Sequence, residues 1–194
     1  MSAYPRTRWL ARTIRLTTSA WEQRKLGEIA SFAKGSGYSK ADIRESGVPL
    51  FLYGRMYTQY EAAVDSIDTY ATPKPGTLYS KGNELVVPAS GESVEDIARA
   101  SAIRRAGIAL GGDLNVIYPQ NMAVPLFLAY GLSYGSSQKL LAQRAQGKTV
   151  VHIHASDLEE LNVDLPSVPE QQAIGQFFSQ LDSLITLHQR KQPR

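Results

Sequence analysis

Three short segments of this chain combine basic, small and aromatic residues in a way that suits contact with nucleic acid. They are Lys34-Gly-Ser36-Gly-Tyr38-Ser39-Lys40, Tyr53-Gly-Arg55-Met-Tyr57-Thr58-Gln59-Tyr60 and Gln143-Arg144-Ala-Gln146-Gly-Lys148-Thr149. Lysine and arginine supply the cations that neutralise phosphates. Arginine and glutamine have the donor and acceptor geometry to pair with guanine and adenine edges in a major groove. The glycines let backbone N–H groups come close to a phosphate. On this chemistry the candidate DNA-binding residues are Lys34, Ser36, Tyr38, Lys40, Arg55, Tyr57, Gln59, Arg144, Gln146, Lys148 and Thr149. Taken singly, each segment also has the composition of a solvated turn.

Catalytic chemistry has no comparable foothold. Gly147-Lys148-Thr149 matches the end of a phosphate-binding P-loop, but Ala142 stands where that loop needs a glycine, and the order of strand and helix is reversed. Gly35-Ser36-Gly37 lacks the third glycine of a dinucleotide fingerprint. His152 and His154 share one face of a predicted strand without a third ligand beside them, and read as its polar outward positions. Glu92, Glu95 and Asp96 suit a helix start, and Glu159-Glu160 a solvated face. There is no adenine-methyltransferase motif and no two-carboxylate-plus-lysine nuclease pattern. The expectation is therefore a non-catalytic protein with no catalytic residue, no metal site and no cofactor of its own.

The bulk numbers agree with a binding module. The 194 residues suffice for one large domain or a domain with an appended helix. Cysteine is absent, which excludes disulfides and thiolate zinc sites and suits a reducing cytoplasm, the expected location. A formal net charge of +3 permits nucleic-acid binding without requiring it. No apolar run is long enough to span a membrane, and the first twenty residues read as a basic arm rather than a secretory signal.

The elements that must position the candidate residues are short and mixed. Trp21 to Glu28 reads as an entry turn, followed by a strand over Ile29–Ala33 and the glycine loop from Lys34 to Lys40. A helical turn is expected over Ala41–Glu45, a strand from Val48, and an extended run over Tyr57–Tyr60. Leu85–Val87 reads as a buried strand, and Ser93 as the cap of a helix through Val94, Ile97 and Ala98. Ala106–Leu110 and Leu114–Tyr118 read as a strand pair across Gly111-Gly112-Asp113. Pro125 opens a helix through Tyr130, and a further helix covers Ser137–Arg144. Thr149–His154 reads as a strand, Ser156 as the cap of a turn over Asp157–Leu161, and Asn162–Leu165 as a last extended segment. Strands and helices in no regular alternation indicate an α+β fold.

The chain closes on a long amphipathic helix. Ser167 is its expected cap, Pro169 its expected first residue, and Glu170 complements its positive start. Ile174, Phe177, Phe178, Leu181, Leu184, Ile185 and His188 recur three and four apart, the stripe of a helix lying against another helix. A basic cluster, Arg190, Lys191 and Arg194, follows. The stripe calls for a partner helix, from this molecule or another.

Several of these segments together resemble the specificity subunit of type I restriction-modification systems. The resemblance rests on Trp21-Glu-Gln-Arg-Lys-Leu-Gly-Glu, Tyr53-Gly-Arg-Met-Tyr-Thr, Val87-Pro-Ala-Ser-Gly-Glu-Ser-Val-Glu-Asp-Ile, Ala109-Leu-Gly-Gly-Asp-Leu-Asn-Val-Ile and Gln146-Gly-Lys-Thr-Val-Val-His-Ile. Its most specific part is the end, with Glu170-Gln, Ile174, Phe177-Phe178 and Leu181-Asp-Ser-Leu-Ile-Thr-Leu-His-Gln-Arg-Lys. Such a subunit carries two target recognition domains separated by two long helices, each domain reading half of a split DNA site. The resemblance implies one half of that arrangement: a basic arm over residues 1–20, a target recognition domain over 21–166, and the start of a coiled-coil spacer or dimerisation helix over 167–194. It also implies the partners: double-stranded DNA, methyltransferase (modification) subunits and through them the restriction subunit, with a homodimer through the helix as a further option and no membrane. Two other readings fit the residues less fully, a recognition fragment of a fused DNA methyltransferase and a helix-mediated protein-interaction module.

Overall fold

The computed structural model describes residues 21–145, 147 and 150–191, so the basic arm and the candidates Gln146, Lys148 and Thr149 lie outside the described residues. Two five-stranded mixed sheets form the body. The first has the order β2 (Ala30–Lys34), β12 (Leu114–Pro119), β8 (Glu84–Pro88), β10 (Ser101–Ile103) and β5 (Ala63–Val64). All its pairings are antiparallel except β10 with β5. The second has the order β3 (Ile43–Arg44), β6 (Tyr70–Ala71), β4 (Val48–Phe51), β11 (Ala106–Leu110) and β7 (Tyr79–Lys81), with β11 parallel to β4. Two small ribbons complete the strands, β1 (Glu22–Lys25) with β14 (Asn162–Leu165), and β9 (Ser90–Gly91) with β13 (Val151–His152).

Alternation along the first sheet divides the core in two. Val86, Ile103, Leu114 and Val116 meet Phe51, Ile108 and Leu110 of the second sheet. Leu85, Val87, Ala102 and Ile117 point the other way, toward the helices α4 (Pro125–Tyr134) and α5 (Ser136–Arg144). Four single-turn helices fill the margins: α1 (Leu26–Ile29), α2 (Arg55–Thr58), α3 (Val94–Ile97) and α6 (Ala155–Glu159). Ser93 caps α3 as expected, its side chain accepting from the Asp96 N–H at 3.1 Å.

Several local expectations change in the fold. The entry segment is a strand, because Glu22 to Lys25 pairs in register with Leu165 to Asn162. Ala41–Glu45 is not a helical turn. A 3₁₀ turn covers Lys40–Asp42, closed by reciprocal bonds between Ser39 and Asp42, and β3 follows directly. Tyr57–Tyr60 is not extended, since Met56 is buried and the Gln59 N–H closes the α2 turn on the Arg55 carbonyl at 2.8 Å. Of the strand expected over Thr149–His154, the described residues form a ribbon at Val151–His152, and Thr149 lies outside them. His154, not Ser156, occupies the cap position of α6, and its N–H donates to the Asp157 carboxylate at 2.9 Å.

The largest difference concerns β11 and β12. They do not pair with each other, because Gly111-Gly112-Asp113 carries the chain from the second sheet to the first. The crossing is crowded. A Cβ on Gly35 would stand 1.8 Å from the Gly111 carbonyl oxygen, so only glycine admits this approach of backbones.

The terminal helix α7 (Val168–Lys191) starts one residue earlier than expected, with Pro169 at its second position. The Gln171 N–H bonds to the Ser167 carbonyl at 2.9 Å. The Gln171 side chain is fully buried; its amide donates to the Met122 and Pro166 carbonyls, both at 2.9 Å, and accepts from the Val124 N–H at 2.8 Å. Gly175 then lies against Leu126 and the Phe127 backbone. Farther along, Phe178 meets the Tyr130 ring at 5.3 Å, and the Tyr130 hydroxyl donates to Asp182 at 2.7 Å. The helix therefore runs beside α4 in the same direction. Replacing Gln171 by Leu leaves three backbone groups without their partner, each buried loss costing about 1–3 kcal/mol. We expect Gln171→Leu to lower the chemical-unfolding midpoint and to speed amide exchange in residues 168–182 ahead of the sheets; an unchanged midpoint would contradict the clamp.

Candidate nucleic-acid interface

Loops from both sheets meet at the end where β2, β4, β8 and β11 finish and β12 begins. Backbone hydrogen bonds stitch them together. Ser36 N–H donates to the Leu110 carbonyl at 2.8 Å, Gly112 N–H to Tyr38 at 3.2 Å, and Gly111 N–H to Phe51 at 2.9 Å. Ala89 N–H reaches Asp113 at 2.7 Å, and Ile153 N–H reaches Ala89 at 3.1 Å. Asp113 adopts a left-handed conformation, φ 57°, at the turn into β12. One continuous edge thus carries segments 34–40, 52–59, 89–93, 111–113 and 150–154.

The sequence candidates divide on this edge into residues that hold it together and residues that face outward. Ser36 donates to the Leu110 carbonyl at 3.1 Å and accepts from the Leu78 N–H at 3.1 Å. Tyr38 is buried; its hydroxyl accepts from the Lys74 N–H at 2.8 Å and shares a hydrogen with Thr77 at 2.7 Å. The Tyr57 hydroxyl donates to the Ser90 carbonyl at 2.5 Å, and burial raises its pKa. Arg55 has a side chain only 15% exposed and pairs with Glu61 at 3.0 Å and Asp68 at 2.6 Å. Burial opposes its charge, but the two carboxylates hold its pKa above the ordinary arginine value.

Lys34, Lys40 and Gln59 are exposed, and neither lysine forms an ion pair with a described residue. Lys40 reaches over the second loop, with its Cε 3.8 Å from the position a Cβ would take on Gly54. Arg144 stands apart from the edge and donates to the Glu160 carbonyl at 3.1 Å. Glu160 also pairs with Lys25 at 2.6 Å.

The sequence reading missed Lys74. Its ammonium pairs with Asp42 at 2.6 Å, donates to the Gly37 carbonyl at 3.2 Å and lies 4.9 Å from the centre of the Tyr38 ring. Lys74 lies in the segment Thr72-Pro-Lys-Pro-Gly, whose docking under the glycine loop joins residues far apart in sequence. His152 and His154 are exposed and stack with ring centres 6.5 Å apart. The described residues hold no cluster of three or more side chains suited to a metal, and none of their helices is long and apolar enough to cross a membrane.

Residues 18–194 match the model of the type I restriction modification DNA specificity domain. The chain belongs to that family. The specificity domain also shares its fold with solved structures. A chain from a structure of the assembly and conformational transition of the type I R-M system superposes with a TM-score of 0.63 at 16% identity, over 89% of this chain and 40% of that one. The HsdS subunit from Thermoanaerobacter tengcongensis gives 0.61 at 16% identity, over 91% and 41%. The type I S subunit from M. genitalium gives 0.60 at 21% identity, over 88% and 41%. The chain thus spans about two fifths of each of these proteins. No curated protein matches it.

The edge has a built-in pH dependence. Hydrogen bonding to Lys74, then to the Ser39 N–H, holds the Asp42 pKa below the ordinary aspartate value, and Arg55 does the same for Asp68. A depressed folded pKa contributes stability above the ordinary carboxylate range and loses it as pH falls. Below about pH 4 we expect amide exchange in segments 36–44 and 72–78 to accelerate relative to the first sheet, after correction for intrinsic rates. Asp42→Asn should remove most of that acid dependence; an unaltered profile in the variant would refute the assignment.

Proposed function

We propose that this specificity domain is a non-catalytic DNA-reading unit, one target recognition domain over residues 21–166 followed by the first part of a spacer helix over 167–194. It binds one half of a bipartite double-stranded DNA target through the loop edge. The observation that carries this reading is the exposure of Lys34, Lys40 and Gln59 on an edge where Ser36, Tyr38, Arg55 and Tyr57 are tied inward, in a chain of this family. Lysines placed so can fix register on the phosphates, while a nearby amide reads a base. Arg55, Tyr57, Ser36 and Tyr38 act as the frame that holds those groups in place. Arg144, Gln146, Lys148 and Thr149 are further candidates for contact with the DNA.

The helix serves the protein partners. Phe177, Leu181, Leu184 and Ile185 remain 56%, 37%, 62% and 54% exposed, whereas Ile174 and Phe178 already lean on α4. The outer part of the stripe, continued by His188, presents the seam for methyltransferase subunits, and through them the restriction subunit, or for a second copy of the chain. Methyl donor, nucleotide and metal chemistry belongs to those partners.

Two measurements test the two surfaces separately. Titration with duplex DNA should weaken as salt rises, and Lys34→Ala with Lys40→Ala should reduce the salt slope by about two, one unit per lost phosphate contact. An unchanged slope and affinity would remove these lysines from the interface. Phe177→Asp with Leu181→Asp should leave the circular dichroism of the domain intact while abolishing dimers or methyltransferase docking in light scattering; association equal to that of the unaltered chain would sink the seam.

A further inference from the structure

Residues 41–47 form a flank of the loop edge that the fold ties down at three points. At its start, reciprocal bonds between Ser39 and Asp42 close the 3₁₀ turn, and Lys74 pairs with the Asp42 carboxylate at 2.6 Å. In its middle, Ile43 and Arg44 pair with Ala71 and Tyr70 as the outermost strand of the second sheet. At its end, Gly47 has φ 138° and lies so close to β6 that a Cβ there would stand 2.2 Å from the Ala71 carbonyl oxygen. Between these ties Ile43, Arg44, Glu45 and Ser46 are exposed.

Arg44 differs from Arg55, Arg99 and Arg104, each of which pairs with a carboxylate. It forms no ion pair among the described residues. Its Nη1 donates instead to the Ala41 and Ile43 carbonyls at 3.0 and 2.7 Å. Those bonds hold the plane of the guanidinium and leave Nε and Nη2 as a two-donor fork. A fork that is already oriented loses little rotamer freedom when it binds. Its geometry matches the N7 and O6 acceptors of guanine in a major groove, and also a phosphate.

The neighbouring side chains choose between the two. Ile43, 43% exposed, offers nothing to a phosphate but fits the methyl group of a thymine edge. Glu45 repels a phosphate and can accept from a base amino group. Lys40 precedes Arg44 by four residues, so at most about 14 Å of chain separates them. A major groove is about 12 Å wide, so a lysine on its phosphates and an arginine on a base edge can serve one half-site.

We propose that Arg44 is a base-reading residue of this domain, its Nε and Nη2 donating to N7 and O6 of one guanine in the major groove. The inference rests on the reading of the loop edge as a DNA-binding surface, and adds to it a residue outside the three segments that the sequence singled out.

The test selects duplexes bound by the full chain from a random pool, and repeats the selection with Arg44→Ala and Arg44→Lys. The unaltered chain is expected to require guanine at one position or more. Arg44→Ala should lower the preference for guanine at one of them by about tenfold, while the other positions and the salt slope stay as they were. Arg44→Lys should not restore the preference, because an ammonium has no planar fork. Placing 7-deazaguanine at that position removes the N7 acceptor; it should weaken binding by the unaltered chain and make no difference to Arg44→Ala. Four outcomes would each overturn the assignment and leave the loop edge on DNA: no required guanine, an Arg44→Ala preference equal to that of the unaltered chain, a uniform loss over all sequences with the salt slope reduced by about one, or an unaltered chain indifferent to 7-deazaguanine. A chain that binds no duplex at all would instead remove the underlying DNA reading.

Discussion

A single buried amide decides where the terminal helix goes. Gln171 joins three stretches of chain: the turn before α4, the exit from β14 and the first turn of α7. Its side chain is out of water, so each of its bonds is costly to leave unmade and the arrangement tolerates no slippage. Gly175 then brings the helix close to α4, and the Tyr130–Asp182 bond holds it about two turns farther on. The direction of α7, and with it the position of every residue of its seam, follows from these contacts.

A second constraint acts at the opposite face of the first sheet. Gly111 to Asp113 makes no hairpin between β11 and β12; its backbone bonds to Phe51, Tyr38 and Ala89 hand the chain from one sheet to the other. The glycine loop, the segment after β4 and the turn after β8 are drawn onto this crossing by backbone bonds. The loop edge is consequently joined by backbone bonds across both sheets. Side chains that looked equivalent in the sequence acquire different tasks on it, because some point into the crossing and some away from it.

Charge shows the same sorting. Arg55 and Lys74 are cations on the same set of loops as Lys34 and Lys40, yet carboxylates neutralise the first two. An ion pair inside the frame stabilises loop geometry but offers little field to a phosphate. Lys34 and Lys40, exposed and without an ion pair among the described residues, keep a long-range attraction that suits contact with a polyanion. The apolar stripe of α7 divides in a comparable way, with Ile174 and Phe178 spent on the domain and Phe177, Leu184 and Ile185 left to water.

Much of this was legible in the residues themselves. The terminal helix, the Ser93 cap, the buried strand at Leu85–Val87 and the α+β character rest on local periodicity and capping, which a sequence records directly. The family was legible as well, from the combination of motifs ending in the helix. Legibility stopped where contacts are distant in sequence. Nothing near Glu22 announces a partner strand at Leu165, and nothing near Ala106 announces that its strand will pair with β4 and β7 instead of β12. The helical turn at Arg55–Thr58 is secured by the burial of Met56 and by carboxylates at Glu61 and Asp68, not by its own propensity. The division of the candidate residues into those tied inward and those left exposed was likewise decided by the tertiary structure alone. A basic or aromatic side chain in a loop has the same local chemistry whether it faces solvent or a distant carbonyl, and only the folded chain fixes which of the two it meets.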